Sequence, residues 1–474
     1  MGIGLTALLA CTSTAVLLGP VTSGPSGTTT EPRTSNGGTT DGAQDNVVPV
    51  ELTGLSASLH DTVGSIVVVD WVQSGVADLA LSFSVDPGVW QTTPTRGLAK
   101  GAHQEWIVGV PYGANVTWRV VATGGFGTVE SPEHDIETAA APEGLPIGEV
   151  LVSDAWDPAF PYVLASTQVA GGDFGDVWFA QILDRSGRVV WSWESDREHI
   201  IMHPRLSYDG LALLIDANSY WGLFDGGDDS SVSRMTLDGN VEHTWVTPGL
   251  HHPFTELPGN ILAYGAAEFP YRNEFIIEVD VAATQRIVFD CEAWLDDVNT
   301  NEYCGSNTLN WRESSNSYLF SFYSMDSILD IDAASGAVTR AFGQVKTAYA
   351  FEPEDTTFWW QHGGNWTPEG TLITSTYDAE EGRETIVREY EVDDANETLV
   401  ELRSFGLGSG LFGEEMGEVT RMASGHTMHN TGTLPRIREY DVDGAVVWDF
   451  GWPDGDVGRT TPLASLYVLL PDRL

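Results

Sequence analysis

The stretch FWWQHGGNW at positions 358–366 sets a histidine, His362, between bulky aromatic residues and two glycines. An imidazole titrates near neutral pH, so it can serve as a nucleophile, a general acid or base, or a metal ligand. Similar segments of the chain open with other polar side chains, namely His203, His251, His252 and Asn307. The chain has only 11 histidines in 474 residues, so their recurrence at the start of similar segments favours a shared site.

These segments belong to a repeated pattern of β-hairpins that begins near residue 146. One hairpin type recurs six times, for example in VSRMTLDGNVEHTW (232–245) and IREYDVDGAVVWDF (437–450), each with an Asp/Gly turn and a final Trp or Phe. A second hairpin type falls between the copies and carries the histidines. A period of roughly 45–60 residues with four strands per repeat predicts a six-bladed β-propeller over residues 146–474.

In a propeller the innermost strands converge on a central channel, and their first residues surround its mouth. We expect five of these positions to hold His203, His252, the segment Gly305 to Asn307, His362 and Glu418. Because they come from separate blades, the pattern predicts a polar funnel rather than isolated core histidines. The strand LASLYVLL (463–470) is expected to return and complete the blade that begins at YVLAST (162–167).

The part of the chain before the repeats is also β-rich. Residues 47–143 alternate apolar and polar side chains over short runs such as DLALSFSV, separated by turn residues, which predicts a β-sandwich. The segment from 114 to 142 resembles the last strands of a fibronectin type III module. The predicted fold class is therefore all-β, with this sandwich preceding the propeller.

The first residues predict export. Residues 1–21 are apolar and small, as in a signal sequence, and residues 22–46 are rich in Ser, Thr, Gly and Pro, as in a flexible tether. Leu8 to Cys11 resembles a lipobox, in which Cys11 would be acylated, and ordinary cleavage near Thr22 is the alternative. We expect a protein of the periplasm or outer cell envelope, with a lipid anchor in the first alternative.

The charge balance limits the partners. Lys and Arg total 22 against 68 Asp and Glu, for a formal net charge of −46. Nucleic acid is excluded as a partner because its phosphate backbone would be repelled. A small anionic substrate would need local positive groups that act against this overall field.

Two cysteines remain once Cys11 is acylated or removed. Cys291 and Cys304 predict a disulfide in an oxidising compartment. Between them Asp297, Asn299 and Asn301 alternate as in a calcium loop, but the required glycine and bidentate glutamate are missing. His426 and His429 have metal-like spacing, yet residues i and i+3 of a strand point to opposite faces. We therefore expect no metal site and no cofactor.

Two of the hairpins carry a family resemblance. HHPFTELPGNILAYG (251–265) and QHGGNWTPEGTLITS (361–375), set among hairpins such as EYDVDGAVVWDF, resemble the bacterial arylsulfotransferase family. The resemblance implies an exported six-bladed propeller with an N-terminal β-domain. It also implies transfer of a sulfuryl group from a phenolic sulfate ester to an acceptor phenol, without a nucleotide donor.

The resemblance assigns roles to individual residues. His362 matches the transient nucleophile of the family, and His252 matches the second channel histidine, with His251 as the less favoured alternative. Asn307 matches the asparagine of a His-x-Asn segment. The histidine of that segment is replaced here by Gly305.

A further departure concerns positive charge. Tyr323 stands where the family has an arginine, so one histidine and one cation of the family site are missing. A sulfuryl group in transfer spreads charge over three oxygens, and each lost donor costs on the order of 10²–10³ in rate. His203 or Arg205, from another blade, could replace them as substrate-binding groups.

The mechanism implied by the resemblance is ping-pong, through a sulfohistidine at His362. Phe358, Trp359 and Trp360 either flank the aryl group or pack within the blade, and we favour packing. Gly363 and Gly364 are expected to keep the region around the imidazole open. Two alternatives stay open: an exported propeller that binds a ligand or partner at the funnel without catalysis, and a different hydrolase or lyase on the same scaffold.

Overall fold

The computed structural model describes residues 49–169, 177–196, 198–220, 226–268, 273–298, 303–380 and 382–471. Within them the predicted all-β class is confirmed: strands dominate, with one α-helix, α1 (Cys291–Val298), and three short 3-10 helices (Tyr323–Met325, Glu354–Thr356 and Tyr467–Leu469). None of the helices in these ranges is long and apolar enough to span a bilayer. The predictions for residues 1–46, including the acylation of Cys11, lie outside the described residues.

The first nine strands form two sheets. One has the order β1-β2-β6, and the other has the order β4-β3-β7-β8, with β5 paired to β3 and β9 to β7. Buried side chains of both sheets share one core, which includes Trp71, Leu81, Ile107 and Trp118. The strands are β1 (Leu52–Leu59), β2 (Val67–Gln73), β3 (Ala77–Ser84), β4 (Gln91–Thr92), β5 (Arg96–Leu98), β6 (Gly101–Ile107), β7 (Asn115–Gly124), β8 (Gly127–Glu130) and β9 (His134–Glu137).

The remaining strands form six sheets, which are antiparallel except for the parallel pairing of β26 with β30. The first half comprises β10 (Glu149–Ser153), β11 (Tyr162–Gln168), β12 (Trp178–Asp184), β13 (Val189–Glu194), β14 (Arg205–Leu206), β15 (Leu213–Ala217), β16 (Ser231–Met235), β17 (Val241–Val246), β18 (Leu250–Leu257), β19 (Ile261–Glu268), β20 (Asn273–Val279) and β21 (Gln285–Asp290).

The second half comprises β22 (Ser306–Arg312), β23 (Ser317–Phe322), β24 (Ser327–Asp332), β25 (Val338–Gly343), β26 (Ala350–Glu352), β27 (Trp359–Trp366), β28 (Leu372–Tyr377), β29 (Thr385–Asp393), β30 (Thr398–Phe405), β31 (Glu418–Arg421), β32 (Thr427–Asn430), β33 (Arg436–Tyr440), β34 (Val446–Gly451) and β35 (Val457–Leu463). The sheet orders are β13-β12-β11-β35, β14 to β17, β18 to β21, β22 to β25, β26-β30-β29-β28-β27 and β10-β34-β33-β32-β31. In the last two sheets β26 and β10 are added as fifth strands at the far edge.

The Asp/Gly turns explain why the hairpins form where the sequence predicts them. In the turn after β33, the Asp441 carboxylate accepts the backbone N–H groups of Asp443 and Ala445 at 2.9 and 2.8 Å. Gly444 follows at φ 86°, a conformation that side chains with a Cβ rarely adopt. The side chain thus stabilises the turn locally and the glycine allows it to close.

The strand that completes the first sheet differs from the prediction. β11 pairs with β35, with Tyr162 opposite Leu463 and Ala165 opposite Thr460. The segment LASLYVLL (463–470) was expected to form this strand, and that expectation is wrong: beyond Leu463 it turns into a 3-10 helix. Its leucines Leu466 and Leu469 are buried in the core that β12 and β13 share with the first sandwich strands. The apolar residues of LASLYVLL therefore fill a hydrophobic core, whereas β35, the strand that completes the sheet, is more polar.

The predicted disulfide is present. Cys291 opens α1 and Cys304 lies just before β22, with their sulfurs bonded and their Cα atoms 6.2 Å apart. Both residues are fully buried in a core that contains Phe289 and Phe320. The bond anchors the chain immediately before the strand that carries Asn307.

We expect the Cys291→Ser/Cys304→Ser variant to lose about 3 kcal/mol of unfolding free energy, because the bond closes a short loop in the unfolded chain. Urea titrations with and without dithiothreitol measure this. Reductant should destabilise the wild type by the same amount and leave the double variant unchanged. Equal stability of the oxidised and reduced wild type would contradict the prediction.

Candidate active site

The candidate site lies where the innermost strands begin. β14, β18, β22, β27, β31 and β35 each form one edge of their sheet, and neighbouring strands of this set contact one another. His203 precedes β14, and His252, Asn307, His362 and Glu418 lie at or near the start of the next four strands. The predicted positions are therefore equivalent in the fold, with His362 as the fourth residue of its strand rather than the first.

His203 and His252 lie close together. Their ring centroids are 5.9 Å apart with the planes at 67°. His203 is buried, its backbone N–H donates to the Asp216 carboxylate at 2.9 Å, and its Nδ1 has no hydrogen-bond partner among the described residues. His252 is half-buried, so it presents the more accessible imidazole of the two.

His251 takes a different place although it adjoins His252. Its side chain is fully buried, with Nδ1 3.0 Å from the Glu274 carboxylate and the ring 4.8 Å from that of Tyr220. Glu274 also accepts the backbone N–H of Ser306 at 2.8 Å, at the start of β22. This arrangement links two sheets, and we leave His251 out of the groups that contact substrate.

His362 presents one ring nitrogen to the site. Its Nδ1 lies 3.0 Å from the carbonyl oxygen of Trp360. Because a carbonyl can only accept, Nδ1 carries the proton and donates, which leaves the lone pair on Nε2. The residue is half-buried, so this nitrogen is held in a defined tautomer beside accessible space. A nucleophile needs both properties.

Gly363 and Gly364 have a different purpose from the one predicted. A Cβ on Gly363 would lie 2.6 Å from the Cα of Glu418, and φ is +67°. A Cβ on Gly364 would lie 2.7 Å from the Ile328 side chain. The expectation that they keep space open around the imidazole is wrong. They allow β27 to pack directly against the neighbouring sheets.

Arg459, on β35, is the site residue that the sequence analysis missed. Its guanidinium is 1% exposed and donates to the carbonyl oxygens of Gly417 and Asn307, the latter at 2.6 Å, and to Thr308 Oγ1 at 2.9 Å. Its backbone N–H donates to the carbonyl oxygen of Met202 at 2.9 Å, next to His203. One side chain thus connects β35 with β22 and β31, and its backbone reaches the segment before β14.

Arg459 forms no salt bridge within the described residues, although Glu418 lies near enough to stabilise its charge. Among the described residues no carboxylate lies within salt-bridge distance of its guanidinium, and its Nε has no hydrogen-bond partner. Glu418, the carboxylate whose charge most stabilises it, instead accepts from Thr460 N–H at 3.1 Å and lies 3.4 Å from Arg205. Burial lowers the pKa of Arg459 to about 10, so it stays cationic at neutral pH.

Asn307 and Thr308 fix the backbone on both sides of His362. Asn307 Nδ2 donates to the carbonyl oxygen of Gln361 at 2.7 Å, and the N–H of Gly363 donates to Thr308 Oγ1 at 2.9 Å. Both residues also accept from Arg459. Asn307 therefore positions the nucleophile, because its amide is already committed to this backbone contact.

Gly305 and Tyr323, the two departures from the family pattern, are in contact. A Cβ on Gly305 would lie 3.1 Å from Cζ of Tyr323. The tyrosine ring therefore fills the space that a histidine side chain at position 305 would need. Tyr323 also stacks beside His362, with centroids 6.1 Å apart and the planes at 12°.

The imidazoles of the site are neutral at physiological pH. Burial, then the positive charge of Arg459, lowers the pKa of His362 to about 4. Burial also lowers the pKa of His203 and of His252 well below the ordinary value, and the nearby Arg459 and other imidazoles lower them further. An approaching anion would counter both effects, so the site is arranged to receive negative charge.

The pH dependence of activity should follow from these shifts. A lowered pKa means that His362 gives up its proton at lower pH than an ordinary histidine, so its lone pair is available above about pH 4. We expect kcat/KM for an aryl sulfate to stay flat from pH 8 to about 5 and to fall on approaching pH 4. Stopped assays with circular dichroism at each pH separate this fall from unfolding. A fall in kcat/KM centred near pH 6.5 would contradict the prediction.

Arg205 faces the same channel but is engaged. Its guanidinium donates to Asn310 Oδ1 at 2.8 Å and lies 3.4 Å from Glu418. Asn310 in turn donates to the carbonyl oxygen of Gly364 at 2.8 Å. Arg205 is therefore linked to β27 through Asn310, whereas Arg459 forms no salt bridge within the described residues.

The two histidines with metal-like spacing make separate contacts, and His426 precedes β32 whereas His429 lies on it. His426 contacts the Glu439 carboxylate at 2.7 Å, and His429 contacts Ser375 Oγ at 2.9 Å. Across the described ranges no group of His, Cys, Asp and Glu is arranged to hold a metal ion.

The aromatic residues before His362 were predicted either to pack within the sheet or to contact an aryl group, and they differ in burial. Phe358 is fully buried in a core with Phe342 and Tyr390, as predicted for packing. Trp360 is 42% exposed. Packing therefore accounts for Phe358 but not for Trp360.

The fold defines an all-β protein whose polar site lies at the starts of six adjacent inner strands. Residues 280–452 match the model of the arylsulfotransferase (ASST) family. The match agrees with the family resemblance that the motifs carry, over this part of the chain. It includes His362, Asn307 and Tyr323, whereas His252 and Arg459 lie outside it.

Comparison with other proteins gives only distant similarities. Among curated proteins none is similar enough in sequence to count as a relative. A putative 6-phosphogluconolactonase from Bacteroides fragilis has 11% identity over 81% of this chain and 98% of its own, with a TM-score of 0.38. A Lactobacillus plantarum protein has 12% identity over 81% and 99%, also at 0.38. Hydrazine synthase from Kuenenia stuttgartiensis has 14% identity over 57% and 74%, at 0.37. At these TM-scores none of them bears on function.

Proposed function

We propose that the protein is an aryl-sulfate sulfotransferase that works through a sulfohistidine at His362. The observation that carries the proposal is the buried, unpaired guanidinium of Arg459 beside imidazoles whose pKa is lowered. A buried charge without a counter-ion is costly, so an anionic substrate group would complete the site. In a chain of net charge −46, this is the local positive centre that such a substrate needs.

The first half-reaction begins at Nε2 of His362. Its lone pair attacks the sulfur of the aryl sulfate, so that an N–S bond forms and the S–O(aryl) bond breaks. The phenolate leaves with the bonding electron pair and takes a proton from solvent. In the second half-reaction an acceptor phenol attacks the same sulfur, the N–S bond breaks, and the acceptor loses its hydroxyl proton.

Arg459 and His252 stabilise the charge that spreads over the sulfuryl oxygens. Arg459 acts as a fixed cation, and neutral His252 donates one N–H to an oxygen. The lowered pKa of His252 makes it a hydrogen-bond donor in preference to a proton donor at neutral pH. Asn307 acts indirectly, through the backbone of Gln361.

The proposal is tested with 4-nitrophenyl sulfate, with and without added phenol. Release of 4-nitrophenol that rises with phenol concentration, together with formation of phenyl sulfate, is the expected result. Release that is independent of the acceptor would identify a hydrolase. Absence of release across a broad panel of aryl sulfates would favour the non-catalytic ligand-binding alternative.

We also propose the finer architecture and location. The succession of six sheets, with β35 closing the first of them, supports a six-bladed propeller over residues 146–474. The two packed sheets of residues 52–137 support a fibronectin III-like sandwich, assigned to 47–143. The Cys291–Cys304 disulfide supports export to an oxidising compartment, with or without an anchor at Cys11.

A further inference from the structure

A row of near-parallel aromatic rings extends from His362, with the exposed Trp360 in its middle and the buried Tyr377 at its far end. Tyr323 lies 6.1 Å from the imidazole, Trp360 lies 5.8 Å from Tyr323, and Tyr377 lies 6.4 Å from Trp360, measured between centroids. The three interplanar angles are 12°, 25° and 18°. We call Tyr323, Trp360 and Tyr377 the aromatic platform. Such offset, near-parallel rings accept a further aromatic ring favourably.

Trp360 is held in this row against its ordinary preferences. It is 42% exposed, and its φ is +47°, which is uncommon for a bulky residue. Its backbone N–H donates to the Asp326 carboxylate, which holds the strand in this conformation. An exposed indole in a maintained, strained position is costly to the free protein, and a ligand ring that covers it would recover apolar burial.

The platform adjoins the reacting atoms. Trp360 precedes His362 by two residues on the same strand, and its carbonyl oxygen accepts from His362 Nδ1 at 3.0 Å. An aryl ring is joined to the transferred sulfur through a single oxygen. A sulfuryl group at His362 therefore keeps the ring it came from within reach of the platform.

Charge changes sign between the inner and outer parts of the site. Arg459 lies inside, while the carboxylate of Asp326 holds Trp360. At the far end of the row the buried Tyr377 donates to the carbonyl oxygen of the exposed Glu414, and burial, with the charges of Glu414 and Glu415, raises the pKa of Tyr377 to about 12. This gradient directs a sulfate group inward and disfavours a second negative charge on the outer part of the ring.

We propose that the aromatic platform is the aryl-binding subsite of the enzyme, and that it selects phenols with a neutral or cationic substituent over phenols with a carboxylate. The proposal rests on the proposed function, because it assigns the ring of the same substrates. It goes further in naming the residues that hold the ring and the charge class that they accept. It also gives Tyr323 a role that the arginine of the family pattern could not have, since only an aromatic ring extends the row.

The test measures binding without turnover. In the His362→Ala background, titration calorimetry compares two phenols of similar size, 2-(4-hydroxyphenyl)ethylammonium and 4-hydroxyphenylacetate. We expect the ammonium compound to bind about tenfold more tightly, from cation–π contact and nearby carboxylates. Trp360→Ala should weaken its binding by about tenfold. Trp359→Ala, a half-buried neighbour on the same strand, is the matched control and should bind as before.

A second variant tests the charge preference separately. Glu414→Gln removes one exposed carboxylate without changing size, and it should reduce the preference for the ammonium compound by a factor of about three. Binding that is unchanged in Trp360→Ala, or equal affinity for the two phenols, would overturn the proposal. If the platform variants weaken binding while the wild type transfers no sulfuryl group, the subsite stands and the proposed function fails.

Discussion

The His362→Ala variant is expected to lose acceptor-dependent transfer by at least about 10³-fold, because no other group near the sulfur takes over nucleophilic attack. KM for the donor should change little, since the charge of Arg459 and the N–H of His252, which we propose stabilise the sulfuryl oxygens, remain in place. The measurement is the rate of 4-nitrophenol release with phenol present. His243→Ala, on the outer strand β17, is the control with one histidine fewer and should retain full activity.

Direct detection of the intermediate makes this prediction sharper. Wild-type protein incubated with 4-nitrophenyl sulfate alone should gain the mass of one sulfuryl group, on the peptide that contains His362. The label should disappear on addition of phenol and should be missing in His362→Ala. A label on another residue, or turnover in the alanine variant, would contradict the assignment of the nucleophile.

Arg459→Gln is expected to lower kcat/KM by about 10²–10³, because it removes a buried cation that stabilises charge in the transition state. It should also lower the melting temperature, because hydrogen bonds to Asn307, Thr308 and Gly417 are lost or weakened. Arg188→Gln, at a partly exposed arginine that precedes β13 and pairs with Asp86 and Asp184, is the matched control.

The effect of Arg459 on charge can be separated from its effect on stability. Arg459→Lys keeps the positive charge but cannot make the same set of hydrogen bonds. We expect it to be as destabilised as the glutamine variant while recovering part of the rate. If the lysine and glutamine variants have equal rates, Arg459 acts only by positioning its neighbours and the proposed cationic role is wrong.

The hairpin pattern predicted much of the architecture because its signals are local. Asp/Gly turns and strands ending in Trp or Phe form through contacts within one hairpin, as the Asp441 turn shows. The starts of the inner strands could be aligned by the same pattern, which is why His203, His252 and His362 were singled out together.

The closing strand could not be recognised in this way. β35 reads VGRTTPL, with no alternation of apolar residues; it pairs with β11 at one edge of its sheet and carries the polar Arg459. LASLYVLL carried the stronger apolar signal but fills a core. The sequence feature that could have indicated a functional strand was Arg459, which stands beside threonines just after the turn PDGD in a chain with few cations. Missing β35 meant missing Arg459.

Close contacts between residues that are distant in the sequence also cannot be predicted from local sequence patterns. From the sequence, Gly363 and Gly364 could equally leave open space or allow close packing. The positions of Glu418 and Ile328 in the structure show that they allow close packing. The contact between Gly305 and Tyr323 is of the same kind. The lowered pKa of His362 depends on burial and on a guanidinium that lies almost 100 positions later in the chain.

The position of β35 has a consequence for biosynthesis. A ribosome makes the strand that bears Arg459 after the five other inner strands, so a nascent chain carries His362 long before it carries the cation. Chains interrupted before this point would lack both the sheet partner of β11 and the electrostatic half of the site. Under the proposed function, competence for transfer would thus emerge only with the pairing of β35 and β11.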